Sequence, residues 1–410
     1  MRGRWTVVAL ICAGILISYI DRGNLGLAAP FMMSDFHLSP ALMGVLLSAF
    51  FWTYGAFQIP AGILVDRFGI RWVYAGAFLL WSLATAGIGL NRGFVDVLVL
   101  RLLLGIAEAV GPVASLSFIR RHFSATEIGL PTAIYIAGQN LGPAVGTLLG
   151  THLIDQFGWR FMFMATGLAA LAWLPGWLLL APRSGGAQKT TAAVPLREIA
   201  WREAFAAKAF WAMPLCIFFS SYFWYFLLIW VPTYLTTSRG FSTLERGRAL
   251  SIPLFVMAIL NVGAGWAADR LARRLNSEFR VRLWFCAGGY IAAGSLLLLP
   301  WLEGHAAILT VMLIAVCGVG IGNSNYWALA QRVPPSTLVG RATGYLNTIS
   351  QVAGAAAPLI TGWILGPQNQ FTLALAIAAI SPLIAAGCLL SAGTRGLEKM
   401  KRLLAVNSPA

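Results

Sequence analysis

The sequence predicts an all-α integral membrane protein of twelve transmembrane helices, arranged as two six-helix halves related by a pseudo-two-fold axis. Composition is the first reason: the 410 residues are 59% hydrophobic and only 10% charged, and the mean hydropathy of +0.76 lies far outside the range of a water-soluble domain. Apolar runs long enough to cross a bilayer, about 20 residues each, then recur twelve times. The third reason is an internal echo between the first six runs and the last six.

The first run, 5–31, follows Arg2 and Arg4 and resembles a secretion signal, but Asp21-Arg22 stands where a small-residue cleavage site belongs. It therefore reads as a retained first helix. The second run, 40–65, leads into Gly62-Ile63-Leu64-Val65-Asp66-Arg67-Phe68-Gly69-Ile70-Arg71. The third spans 72–90, and the fourth, 94–119, holds Arg101 and Glu108. The fifth and sixth, 128–154 and 159–181, complete an N-terminal bundle over residues 1–181. A polar stretch, 182–208, with Ser184-Gly185-Gly186 and Thr190-Thr191, reads as a cytoplasmic linker. The remaining runs, 209–235, 248–268, 281–300, 306–330, 340–366 and 371–392, form a C-terminal bundle over 209–410. After the eighth run Gly265-Trp266-Ala267-Ala268-Asp269-Arg270, with Arg273 and Arg274, repeats the ending of the second, and Gly129 to Pro143 is echoed by Gly340 to Pro358.

The net charge of +15 raises the question of nucleic acid, and its distribution answers it. With both termini on one side, that side holds 22 of the 29 Lys and Arg residues and the other side 5, leaving Arg22 and Arg101 inside the spans. This is the positive-inside asymmetry. It predicts a multi-pass protein of a bacterial-type cytoplasmic membrane with both termini in the cytoplasm, its basic face meeting lipid headgroups. No nucleic acid is expected as a partner. The five cysteines lie within apolar runs and show no metal-ligand spacing. No Ser/His/Asp grouping, metal motif or phosphate-binding glycine loop occurs either, so neither an enzyme nor a metal or organic cofactor is expected. A monomer is expected.

The ten residues from Gly62 to Arg71 fit G-x-x-x-D-R-x-G-x-R at every fixed position. They resemble the signature cytoplasmic loop of the major facilitator superfamily, and the resemblance implies that superfamily's twelve-helix fold and alternating access. Gly62 and Gly69 permit tight approach and turning. Asp66, Arg67 and Arg71 are expected to gate the cytoplasmic side, with Asp66 pairing with arginines across the interface between the halves. Internal duplication is also typical of secondary transporters, whose site lies near the bilayer midplane between the repeats.

Asp21, Arg22, Arg101 and Glu108 are the four charges placed deep in apolar runs. A charge at the centre of a lipid-embedded helix costs about 2.5 to 3.5 kcal/mol on insertion scales, so such residues face a cavity or a partner and mark function. Arg101 and Glu108 are seven apart, about two helical turns, and share one stripe. Asp21 and Arg22 are consecutive and point about 100° apart. The expected division pairs Asp21 with Arg101, adds Glu108 to that network as a second proton site, and turns the Arg22 guanidinium to the cavity, where its fork suits a carboxylate.

Ser18-Tyr19-Ile20-Asp21-Arg22-Gly23-Asn24-Leu25 resembles the first-helix motif of the anion:cation symporters within the superfamily, which include bacterial sugar-acid carriers, sialin and the vesicular glutamate carriers. Arg101-x6-Glu108 and the seventh-run segment from Trp224-Tyr225-Phe226 to Thr233-Tyr234-Leu235-Thr236 fit as well. The resemblance implies proton carriage by Asp21 and Glu108 and substrate binding by Arg22. It also implies a substrate pocket lined at Tyr19, Tyr54, Gln139, Ser324, Trp327 and Asn347. Tyr326 stands where sugar-acid carriers have a smaller polar residue, as an extra wall that would favour an aromatic or short hydroxy acid. The sequence thus predicts proton-coupled import of an organic anion, a sugar acid first, those acids second. A proton-antiport drug exporter is a third possibility, one that would need neither Arg22 in the cavity nor the polar set around it.

Overall fold

The computed structural model describes residues 2–91, 93–124, 127, 129–182, 208–334, 338–366 and 370–405. Apart from turns these residues are helical: α1 (Arg2–Asp35), α2 (Pro40–Phe68), α3 (Ile70–Leu90), α4 (Phe94–Glu108), α5 (Val110–His122), α6 (Gly129–Ala170) and α7 (Trp173–Leu180) in the first half. The second half has α8 (Lys208–Ile229), α9 (Val231–Thr237), α10 (Thr243–Leu275), α11 (Glu278–Ala293), a 3-10 segment Gly294–Trp301, α12 (His305–Arg332), α13 (Val339–Leu365) and α14 (Phe371–Ala405).

Eleven stretches of the described residues are long and apolar enough to cross a membrane, and one of them, Gly129–Leu180, is 52 residues long. A straight helix of that length would run about 78 Å against a hydrocarbon core of about 30 Å. It is broken at Gly158, whose φ of 84° is left-handed, a conformation that residues with a Cβ resist. The stretch is therefore two spans meeting at Gly158, and twelve crossings result. Leu179, Val262, Ile259 and Trp363 stand exposed among many other apolar side chains, as a surface solvated by lipid requires.

Contacts divide the chain into two compact units: Met1–Lys189 with Leu227–Ser251 and Pro358–Gln370, and Thr190–Phe226 with Ile252–Ala357 and Phe371–Ala410. This differs from the expected bundles 1–181 and 209–410. Residues 183–207 of the expected linker lie outside the described residues. The difference has a steric cause. Within the first unit a Cβ on Gly26 would lie 2.9 Å from the Leu228 carbonyl, and one on Gly44 would lie 2.6 Å from the Pro358 carbonyl and 3.3 Å from Gly362 Cα. Such backbone-to-backbone approach joins the ends of α1 and α2 to segments of α8 and α13. Two of the divisions fall inside a helix and beside its proline: Ser251/Ile252 next to Pro253, and Ala357/Pro358 at Pro358 itself.

Inside the first unit α1 lies against α6 along Gly138, Gly142, Gly146 and Gly150. Added Cβ atoms at these four positions would meet Cys12, Tyr19, Ile20 and Leu27 at 2.5 to 2.9 Å. Small residues every fourth position let membrane helices approach and gain dispersion contact. That packing fixes the rotation of α1 and so aims Ser18, Asp21 and Arg22. In the second unit Gly289 on α11 plays the same part, its Cβ position 2.5 Å from the Gly318 carbonyl of α12.

Candidate functional site

The four intramembrane charges lie in the first unit, where Asp21, Arg101 and Glu108 are 1%, 2% and 1% exposed. Arg22 Nε donates to Glu108 Oε2 at 2.8 Å, and Ser18 Oγ donates to the same oxygen at 2.7 Å. The Arg22 guanidinium carbon sits 4.5 Å from the centre of the Tyr19 ring, 4.4 Å from Tyr54 and 5.0 Å from Phe50. Three ring faces thus stabilise the cation where water is scarce. Gln139 Nε2 donates to the hydroxyls of Tyr19 at 3.0 Å and Tyr135 at 3.2 Å, so α1, α2, α4 and α6 each supply a wall.

Asp21 and Arg101, the expected pair, attract each other electrostatically but not through a direct contact. Among the described residues no ion pair joins them. Arg101 Nε donates to the Leu46 carbonyl at 3.4 Å with its guanidinium 5.2 Å from the Phe50 ring centre, while Asp21 Oδ1 accepts from Asn24 Nδ2 at 3.4 Å. The reason is angular: Arg22 points about 100° from Asp21 around α1, and its longer side chain reaches Glu108. Arg22 is therefore part of the ion-pair network as well as a wall of the aromatic cluster. Ser18, Phe50 and Tyr135 were not singled out from sequence. Each lies four residues before an expected site residue (Arg22, Tyr54, Gln139), and that i, i+4 relation was the available signal.

In the second unit Ser324 Oγ donates to the Ile321 carbonyl of its own helix at 3.0 Å, and Asn347 Oδ1 accepts from Gln351 Nε2 at 3.5 Å. Trp327 is half-buried. Tyr326 is fully buried and donates its hydroxyl to the Met213 carbonyl at 2.9 Å. Its polar atom is occupied in tying α12 to α8, so the idea of Tyr326 as a substrate-facing wall loses its geometric basis.

The signature loop also departs from expectation. Asp66 Oδ1 accepts from Arg121 Nη2 at 2.6 Å, a partner in the same half, because α5 ends beside α2 within the first unit. Gly69, with φ 83°, closes α2 by donating its N–H to the Val65 carbonyl and opens α3. The Trp177 indole donates to the Arg71 carbonyl at 3.0 Å, and the Arg71 guanidinium donates to the Leu178 carbonyl. Arg67 is exposed over Phe68, and Gly62 has only Val113 near its Cβ position. The echo is preserved in the second unit, where Asp269 accepts from Arg282 at 2.6 Å and Glu278 from Arg282 at 3.1 Å. Outside the spans, hydrogen bonds from the Arg4 guanidinium at 3.1 and 3.3 Å hold the Glu127 carboxyl below the usual glutamate range. No cluster of three or more His, Cys, Asp or Glu side chains suited to a metal occurs among the described residues.

Comparison with known proteins agrees with this architecture. The chain is 28% identical over 422 residues to a probable galactarate/D-glucarate transporter of Escherichia coli strain K12, covering 94% of each protein. It is 27% identical over 411 residues to a D-galactonate transporter of Escherichia coli O6:H1, covering 95% of this chain and 94% of that one. A probable chloroplastic anion transporter of Oryza sativa subsp. japonica is 31% identical over 381 residues, 88% of this chain, which spans 64% of that protein's length. Among solved structures, a bacterial homolog of the human lysosomal transporter Spinster in an inward-facing, occupied conformation superposes with a TM-score of 0.76 over 100% of both chains at 18% identity. A D-xylose-proton symporter gives 0.77 over 96% of this chain and 99% of its own at 16% identity, a likeness of fold. The family model of the Major Facilitator Superfamily matches residues 11–358, and the chain belongs to that superfamily.

Proposed function

We propose that this membrane transporter is a proton-coupled symporter importing an organic anion, with a sugar acid of the aldonate, hexuronate or glucarate type as substrate. It works by alternating access in the bacterial cytoplasmic membrane, with both termini inside. The observation that carries the reading is the 2.8 Å pair between Arg22 and Glu108 within the aromatic cluster. A substrate carboxylate and the Glu108 carboxylate compete for one guanidinium. Removing one partner of a buried ion pair costs about 3 to 5 kcal/mol, a factor of roughly 150 to 5,000 in equilibrium. Protonating Glu108 alone takes the carboxylate charge away from Arg22, and an anion arriving alone crowds two negative charges onto it. Proton and anion together avoid both penalties, which is coupling expressed as charge balance.

The relatives named for galactonate, galactarate and glucarate support the substrate class. Polyhydroxy acids also suit Gln139, Tyr19 and Tyr54, whose hydrogen-bonding groups sit around Arg22. The runner-up reading, an aromatic or short hydroxy acid, rested on Tyr326, whose hydroxyl is engaged by Met213. A drug exporter would have no use for a guanidinium held on three rings. Uptake of D-galactonate into proteoliposomes under an inward proton gradient tests the assignment. Wild-type protein should accumulate it, and Glu108→Gln and Asp21→Asn should lose gradient-driven accumulation. Accumulation at the wild-type level by both variants would refute proton carriage by these carboxyls.

A further inference from the structure

The two oxygens of Glu108 face different surroundings. Oε2 is taken by Arg22 and Ser18, whereas Oε1 is buried without a hydrogen bond. Two more buried oxygens on the inner side of it share that condition: Tyr74 OH on α3 and Ser115 Oγ on α5. Both residues are 0% exposed. The Tyr74 ring is fixed among Phe78, Trp81, Trp173 and Trp177. Its hydroxyl enters between α1 and α5, where the Cβ positions of Gly14 and Gly111 lie 2.8 and 3.8 Å away. Trp173 also reaches the Gly14 position, at 3.2 Å, and Ile15 the Gly111 position, at 3.6 Å, so the hydroxyl sits in a cleft that the two glycines leave open.

Spacing turns these three atoms into a series. Glu108 and Ser115 are seven apart, so they share a face at about 10 Å along the axis, and the helix path between them stays helical at Ala109. Gly111, beside the Tyr74 hydroxyl, is nearly midway. Ser115 is the polar side chain that acts on Tyr74, short of an ordinary hydrogen bond. Tyr74 and Ser115 therefore lie close together, and the step left from Glu108 to the level of the Tyr74 hydroxyl beside Gly111 is about 5 Å along the axis, the span of one water molecule making two hydrogen bonds of about 2.8 Å. Buried polar groups in native proteins find a partner, and where protein supplies none, water does.

We propose that Glu108 Oε1, Tyr74 OH and Ser115 Oγ bind ordered water and relay the Glu108 proton toward the inner end, apart from the Arg22 side where the anion binds. Protonated Glu108 gives its proton to the first water. Each hydroxyl accepts one proton and releases its own, and Glu108 is left as the carboxylate that re-forms its pair with Arg22. Below Ser115 the buried Phe118 and Ile119 close the path before Arg120, Arg121 and His122, so the relay ends at a one-turn apolar gate. The charged groups acting on Glu108 from other positions are Arg22, Arg101 and Asp21. None of them stands between it and Tyr74 along this stripe. The inference rests on Glu108 as a proton carrier, as proposed above.

Radiolytic hydroxyl labelling of the wild-type protein tests the water without reference to substrate. Water held against a buried side chain raises its labelling. Tyr290, also 0% exposed but with its hydroxyl donated to Asn323 at 3.0 Å, is the dry control, and Tyr345, 46% exposed, is the wet one. Tyr74 should label at least fivefold faster than Tyr290; equal rates would overturn the water site. For the relay, Tyr74→Phe and Ser115→Ala should each slow net proton-driven D-galactonate uptake about tenfold while leaving D-galactonate exchange at equal internal and external pH unchanged, since exchange needs no net proton release. Loss of both activities together, or of neither, would overturn the relay. Failure of the Glu108 assignment itself is read separately, from Glu108→Gln retaining gradient-driven uptake.

Discussion

Arg22 is one side chain serving two claims, the Glu108 carboxylate at 2.8 Å and three aromatic faces within 5.0 Å. A lysine there keeps the charge and loses the planar fork and the ring stacking. Arg22→Lys is therefore expected to weaken sugar-acid binding by about 1.5 to 3 kcal/mol, the worth of a charge-assisted hydrogen bond, or roughly 10- to 150-fold, measured by calorimetric titration with D-galactonate. At the surface, Glu127 is held below its ordinary range by Arg4. A depressed carboxyl contributes its stability above the unfolded-state pKa and loses it as pH falls through the folded-state value. Arg4→Ala should thus raise the Glu127 titration midpoint toward the ordinary glutamate value, read by NMR on glutamate-labelled protein. At this scale the charges Asp21, Arg22, Arg101 and Glu108 were legible because a charge in an apolar run is conspicuous. Their pairing was not, because it depends on side-chain reach and on the rotation of α1. Arg246 was counted as a loop charge on the outer side, yet it is fully buried, donating to Thr236 at 3.0 Å with its guanidinium 5.5 Å from the Phe31 ring centre; nothing local in the sequence distinguishes it from Arg248.

The helices owe their placement to small residues as much as to large ones. Gly142 lies where a Cβ would be 2.5 Å from Tyr19 Cβ, so Gly142→Leu must push α6 off α1. Overpacking of this kind costs about 1 to 3 kcal/mol or more, and it moves Tyr19, Gln139 and Arg22 together. The expected outcome is a lower unfolding temperature in detergent with D-galactonate binding weakened beyond what Tyr19→Phe alone produces. Apolar runs announced the spans within a few residues, since bilayer thickness and hydropathy operate on the local sequence. The break at Gly158 was implicit in the gap between runs ending at 154 and starting at 159. The ridge Gly138, Gly142, Gly146 and Gly150 was also present as a spacing of four. Its partner helix was not, because the chain does not state which distant helix will approach so closely.

For the whole molecule, the superfamily fold was legible in the apolar runs and in the G-x-x-x-D-R-x-G-x-R motif, both local in the sequence. The compact units were not legible there: repetition records how the chain is built, whereas compactness follows from where backbones touch. Pro253 and Pro358 lie inside α10 and α13, and each removes a backbone hydrogen bond, leaving its helix soft at one level. Helices α10 and α13 are therefore each compliant at the level of their internal proline. Stiffening α13 is then expected to slow the transport cycle without weakening the fold. Pro358→Ala keeps the carbonyl that accepts from the Trp230 indole at 3.3 Å and restores an N–H to the helix. It is expected to reduce the rate of D-galactonate uptake several-fold while the thermal unfolding temperature holds or rises. On that outcome turnover depends on the bending stiffness of a helix, a quantity that acts far from any side chain proposed to meet the substrate.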